Sequence, residues 1–433
     1  MKQGDRGMGD RLSGSGGRHP GRIATAATTL ALGAFIALAG SQASAEHLTA
    51  KFDSRLFFPA NNGTSGCEPW STDGTKKGTK LFKNIWPGAE GSYPYDPAKL
   101  GNRLIFTAAG DSTGYETWST NGTRKGTRLL KNIGPGAAGS SPHTYTKLGK
   151  RLYFTANDGD HGAELWSTNG TRKGTRLLKD IRPGDVGSGP YGFTKFEKRL
   201  YFGANDGTSG YELWRTNGTK RGTKRFKEFY PGVGSSDPSE FAKFGKRLYF
   251  RAQDGVNGWE LWRTNGTAAG TKLFKEFYPG GGSSYPGDLT PFGSRMYFYV
   301  NDGEVGYELW RTDGTTAGTK RFKDINPGVE HSFVGEFTKL GGWLYFTADD
   351  GSHGSELWRT DGTRQRTKLF KDIWTGTDSS FPEELTRFGN GIYFQANDGS
   401  NGEELWRTKG TAQQTKLFKS IRPGPSGSVF CSD

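Results

Sequence analysis

Eight glutamates stand two residues ahead of eight tryptophans in this 433-residue chain. They are Glu68, Glu116, Glu164, Glu212, Glu260, Glu308, Glu356 and Glu404. A lysine follows each tryptophan by thirteen residues, at Lys83, Lys131, Lys179, Lys227, Lys275, Lys323, Lys371 and Lys419. A carboxylate beside an ammonium group is raw material for acid–base chemistry. Catalysis, however, asks for one specialised site, and here there are eight alike. Pairing Thr216 with Thr223 across a turn puts Glu212 opposite Lys227, Trp214 opposite Arg225 and Leu213 opposite Phe226. On that register the Glu–Lys couples are cross-strand ion pairs, each worth about 0.2–1 kcal/mol.

The remaining reactive residues are sparse. Beyond the first 45 residues the histidines are His47, His143, His161, His331 and His353. His161 and His353 share a loop position but lie four repeats apart, and no pair has the spacing of zinc ligands. There is no nucleophile elbow, phosphate loop or dinucleotide fingerprint, so no metal or cofactor is expected. Nothing in the sequence singles out a carboxylate pair at a ring axis. The Asn-Asp-Gly-type loops around Asp158, Asp206, Asp254, Asp302, Asp350 and Asp398 offer about one carboxylate each, whereas calcium takes six to eight oxygens. Asx-turns explain them, and turn chemistry likewise accounts for the Asn-Gly-Thr triplets that match glycosylation sequons.

The elements that must position these residues follow from the period. Trp70, Trp118, Trp166, Trp214, Trp262, Trp310, Trp358 and Trp406 are spaced 48 residues apart without exception. Short strands and Gly-rich turns at such a period indicate propeller blades. With 32% apolar residues, 68 glycines and 13% aromatics, the chain suits many thin aromatic cores rather than one thick one. The fourth repeat reads as strands 193–196, 199–204, 212–216 and 223–229. The first two are joined by a two-residue turn, often Gly-first as in Gly149-Lys150 and Gly245-Lys246, which suits type II′; Asp53-Ser54 and Glu197-Lys198 depart from it. The expected fold is all-β: an eight-bladed β-propeller of four-stranded blades over residues 46–424, with a C-terminal tail, 425–433, closing the ring. From Glu46 to Asp433 there are 388 residues, four more than eight periods. A solenoid needs polar caps at its ends; the outer repeats resemble the middle ones, as in a closed ring.

Residues 1–45 stand outside the repeat. Arg6, Arg11, Arg18 and Arg22 precede an apolar run from Ile23 to Gly40, and Ala43-Ser44-Ala45 follows. That order is a signal peptide cut before Glu46; a retained anchor is the competing reading, since the run nearly spans a bilayer. No other stretch is long and apolar enough to cross a membrane as a helix. The expected address is secreted: extracellular, periplasmic or cell-surface. Without the segment the chain keeps 53 basic and 42 acidic residues.

Phrases of the form GELWRTDGT-x-x-GT-x-LFKDI-x-PG, across essentially all of 46–424, resemble the bacterial secreted proteins described by their ELWxxDGT (hyalin-like) repeat. The resemblance implies a secreted, propeller-like repeat protein with no established activity. The run Ala156-x-Asp158, then Gly162 and Trp166, is also similar to the tryptophan-docking motif of eight-bladed quinoprotein dehydrogenases. That likeness speaks for blade docking and brings no cofactor residues.

Two cysteines, Cys67 in the first repeat and Cys431 in the tail, suit a disulfide in an exported chain. The repeat starts and ends in phase, so no blade mixes strands from both termini; a Cys67–Cys431 bridge would fasten the ring instead. Two free thiols, or a bridge between chains, are the alternatives. Alternating strands put connections one and three of every blade on one face of the ring. That face collects Arg124, Lys125, Lys150, Arg151, Arg172, Lys173, Lys198, Arg199, Lys220, Arg221, Lys246 and Arg247. The charge thins out at Ala268-Ala269 and Thr316-Ala317. A basic crescent over repeats two to four suits a polyanion; a solvated surface kept soluble by its charge is the plainer reading. An exported chain without a recognition motif is no specific nucleic-acid binder. The expected function is a monomeric, non-catalytic binding module for an acidic polysaccharide or a protein partner at the cell envelope. The alternative is a glycan hydrolase or lyase with its site at the central channel.

Overall fold

A computed structural model describes residues 49–428 and Cys431; the signal segment expected at 1–45 lies outside the described residues. The chain forms eight four-stranded antiparallel sheets, each from four consecutive strands paired in chain order. In blade 4 these are Tyr191–Phe196, Arg199–Asn205, Tyr211–Thr216 and Lys224–Lys227. The first strands of successive blades pack against one another, which places them innermost around the ring. Among the described residues helix is confined to one short 3-10 turn, Ala412–Gln414.

Each core lies between two blades and takes one sheet face from each. Phe196, Tyr201 and Leu213 of blade 4 meet Phe229, Leu248, Phe250, Ala252 and Trp262. Alternation along each strand feeds both faces, so both are apolar. Burying one tryptophan removes roughly 200 Å² from water, and every repeat tryptophan named in the cores is under a tenth exposed. The last seam is built like the others: Leu56, Phe58, Ala60 and Trp70 of blade 1 pack on Tyr393, Leu405, Phe418 and Ile421 of blade 8. Across it Arg407 donates to the Gly74 carbonyl at 3.2 Å. Asn61 N donates to Ser428 O at 2.6 Å. Cys67 and Cys431 are joined by a disulfide with their Cα atoms 6.1 Å apart.

The turn between first and second strands has one residue at positive φ, as type II′ requires. It is glycine at Gly149 (φ 63°) and Gly245 (φ 59°), but Asp53 (54°) and Glu197 (55°) take the same conformation with a Cβ. Glu197→Gly relieves that strain at the cost of a more flexible unfolded chain. The net gain is expected at about 0.5–1 kcal/mol, read as a higher thermal midpoint.

Candidate functional site

The repeated Glu–Lys couples are not ion pairs. A bulge between Leu213 and Trp214 slips the outer strand, so Leu213 faces Lys227, while Trp214 faces Arg225 as expected. Neither the Glu212–Lys227 nor the Leu213–Phe226 pairing survives that one-residue slip. Glu212 is fully buried and accepts from Phe229 N at 2.9 Å, Tyr230 N at 3.3 Å and Ser236 Oγ at 2.8 Å. It thereby pins the connection to the next blade. Burial pushes its carboxyl up to about 7, against the pull of those donors, and does the same for Glu260, Glu308 and Glu356. Lys227 reaches the other way. Its ammonium donates to Thr271 O at 2.6 Å and lies 6.0 Å from the Trp262 ring centre, both in blade 5. Lys419 closes the ring with the same contact, to Thr79 O at 2.6 Å.

Connections one and three do share a face. The turn Glu197-Lys198 of blade 4 and the loop Asn265–Thr267 of blade 5 line one groove of about 600 Å³, together with Arg199. Of the expected basic set, two residues are tied into the scaffold. Arg124 donates to the Phe82 and Leu81 carbonyls at 2.9 and 3.0 Å, and Arg151 to Ser167 Oγ and Gly174 O. Lys125, Lys150, Arg172, Lys173, Lys198, Arg199, Lys220, Arg221 and Lys246 are exposed, and Arg247 is half-buried. Burial first, then the Lys220 charge, lowers the neighbouring Lys179 ammonium. In connections one and three of blades 2 to 5 the one acidic residue is Glu197.

The opposite face differs in kind. Its Asp loops are Asx-turns: Asp206 Oδ1 accepts from Thr208 N and Ser209 N at 3.0 and 3.1 Å. Partial burial raises the Asp206 carboxyl, and those donors more than reverse it. His161 and His353 each bond the aspartate of their own loop, Asp158 and Asp350, at 3.0 Å. Among the described residues no group of three or more His, Cys, Asp or Glu is placed to hold a metal ion. Among the described residues every exposed large apolar side chain lies in connections two and four, among them Val233, Val256, Phe333 and Phe381.

At the inner end of this face the structure assembles what the sequence did not point to. Glu240, Asp288, Glu336 and Glu384 occupy one slot on four successive inner strands, all at φ between 52° and 58°. Glu240 accepts from Asp288 N at 3.1 Å, Asp288 from Glu336 N at 3.2 Å, and Glu336 from Leu385 N at 3.2 Å. Burial, then the charges of Glu240 and Glu336, hold the Asp288 carboxyl far above the usual range. Burial and Glu384 push Glu336 to about 7. Beside the row, burial raises Asp237 to about 6 despite Arg251. The same slot holds Asp96, Thr144 and Gly192 in blades 2 to 4. The clue available was that four successive repeats, and no others beside Asp96, carry an acid in this slot.

No family model and no curated protein matches the chain. Among solved structures it is similar to a prolyl endopeptidase, at 14% identity and a TM-score of 0.50 over 74% of this chain and 48% of that one. It is also similar to a Mycobacterium tuberculosis puromycin-hydrolyzing peptidase, at 10% identity and a TM-score of 0.51 over 83% of this chain and 58% of that one. The chain thus spans about half the length of these peptidases, and at such identities the likeness is one of fold alone; this chain's own fold is an all-β, eight-bladed propeller.

Proposed function

We propose that this chain is a non-catalytic binding propeller of the exported ELWxxDGT-repeat kind, acting at the cell envelope and engaging an acidic polysaccharide through its basic face. One observation carries the reading: ten basic side chains not bonded into the scaffold share the first- and third-connection face of blades 2 to 5 with a single carboxylate, Glu197. Coulomb attraction from such a surface concentrates a polyanion and weakens as salt screens it, the Debye length being about 10 Å at 0.1 M. The test is titration with a sulfated or uronic-acid oligosaccharide at low and high salt. Affinity should fall with salt, and by roughly tenfold in the double reversal Lys173→Glu, Lys220→Glu, which is 1.4 kcal/mol. Binding indifferent to both would end the proposal, and binding of a protein partner alone would redirect it.

The axial carboxylates favour a second reading, a glycan hydrolase or lyase, because a carboxyl held protonated near neutrality is what a general acid needs. Release of new reducing or unsaturated ends by the wild type, and not by Asp288→Asn, would support it.

A further inference from the structure

The blades repeat each other slot by slot, and the exceptions gather in one place. Where the first strand begins and the second ends, register pairs Tyr191 with Gly203, Ser239 with Arg251, Gly287 with Tyr299, and Glu383 with Gln395. All lie at the inner rim of the face that carries the Asp loops. Bulk is exchanged within two of the pairs: Tyr191 fills the space that a Cβ on Gly203 would take, and Tyr299 does so over Gly287. A slot serving only the ring would be occupied alike in every blade, as the Glu212 and Trp214 slots are.

Three further features mark this rim as recognition chemistry. Half-buried aromatic plates line it: Trp259 and Tyr285 stack with ring centres 5.9 Å apart at 21°, and Tyr299 meets Tyr307 edge-on at 5.8 Å. The Arg251 guanidinium lies 5.5 Å from the Trp259 ring centre. Three variable-slot residues of blades 4 and 5 each hold a buried polar atom that no protein group satisfies: Tyr191 Oη, Ser239 Oγ and Arg251 Nε. Leaving such atoms unpaired costs about 1–3 kcal/mol apiece, a cost that a hydrogen-bonding ligand removes.

Charge and geometry narrow the ligand. Asp237 and Glu240 border the rim and repel a polyanion, while Arg251 at its centre repels a strong cation. An apolar ligand would leave the polar atoms unpaired. A polyhydroxylated ring meets every term, since its C–H face lies on an indole or phenol and its hydroxyls both donate and accept. We propose that the axial rim of blades 4 to 6 on the Asp-loop face is a binding site for a neutral oligosaccharide, with Trp259 and Tyr285 as the platform and Arg251 as the central donor. This site lies on the face opposite the basic crescent and does not depend on it.

The repeat itself supplies variants that the fold accepts. Ala163 fills the Trp259 slot in blade 3, and Thr155 fills that of Arg251, so Trp259→Ala and Arg251→Thr should leave the melting profile close to wild type. Maltohexaose, cellohexaose and the hexamer of N-acetylglucosamine would be titrated into the full chain by calorimetry, with tryptophan fluorescence in parallel. At least one should bind saturably and independently of salt, and each variant should weaken it tenfold or more. The double reversal Lys173→Glu, Lys220→Glu should leave that affinity unchanged. The proposal is overturned if none of the three binds up to millimolar concentration, if both variants bind within twofold of wild type, or if only the double reversal abolishes binding.

Discussion

Replacing Cys67 by alanine, or reducing its bridge to Cys431, is expected to remove up to about 5 kcal/mol of stability, the largest effect of any single covalent change in this molecule. The bond closes a loop of 364 residues, and in the chain-entropy model the restriction it places on the unfolded chain grows with the logarithm of that length. The fold gives it particular work. Because every sheet is made of four consecutive strands, among the described residues no hydrogen-bonded strand pair bridges the seam between blades 8 and 1. Only packing and a few bonds do, such as Arg407 to Gly74 and Lys419 to Thr79. Cys67→Ala is a clean probe, since Ala163 occupies the same slot in blade 3. Urea unfolding should show a lower midpoint with a steeper slope, because the denatured chain freed of its cross-link exposes more surface, and hydrogen exchange should quicken first in blades 1 and 8. Equal stability with and without reductant would mean that the seam's packing suffices.

Why so much of this ring was legible, and the rest was not, has a physical cause in each case. Trp214 and its seven equivalents sit in one register because every inter-blade core demands the same bulk. The 48-residue spacing therefore reports the architecture directly, and the pairing of strands by consecutive turns separates the faces. The cysteines were legible for a similar reason, as the one pair of residues alien to the repeat. The error concerned the outer strand. Lys224–Lys227 can be laid against Tyr211–Thr216 in two registers that differ by one residue, and neither Arg225 nor Phe226 signals the bulge at Leu213. What settles it is a three-dimensional demand: the backbone donors of Phe229 and Tyr230 need an acceptor where the chain leaves the blade, and Glu212 supplies it. The axial row was hidden for the opposite reason. Glu240, Asp288, Glu336 and Glu384 share a slot with Thr144 and Gly192, so a search for recurrence passes over them, though they touch through neighbouring strands.

Glu212 also gives the second large effect. Removing it leaves Phe229 N and Tyr230 N buried without an acceptor, so Glu212→Ala should cost about 3 kcal/mol. Glu212→Gln keeps one acceptor oxygen and no charge, and should cost about 1 kcal/mol. The pH dependence has a definite sign. Burial raises the folded-state carboxyls of Glu212, Glu260, Glu308 and Glu356 to about 7, whereas the unfolded chain releases those protons near 4.3. Between these values the folded state binds more protons, so stability is greatest below the lower value and declines as pH rises through the upper one. Ser236 shows how the proton is housed: its hydroxyl lies 2.8 Å from Glu212 Oε2 and 3.2 Å from Tyr211 O. A protonated Glu212 can therefore donate to Ser236 Oγ, which donates onward to the carbonyl. The Asp loops act at the other end. Asp206 and Asp350 are held below the usual range, by hydrogen bonds that outweigh burial; their contribution is present above about 3.9 and lost as pH falls further. The melting temperature should therefore peak in mildly acid solution and drop by on the order of 5 °C on going to about pH 7.5, and the drop should shrink in Glu212→Gln. A midpoint that instead rises between those conditions would mean that these glutamates stay ionised inside the ring.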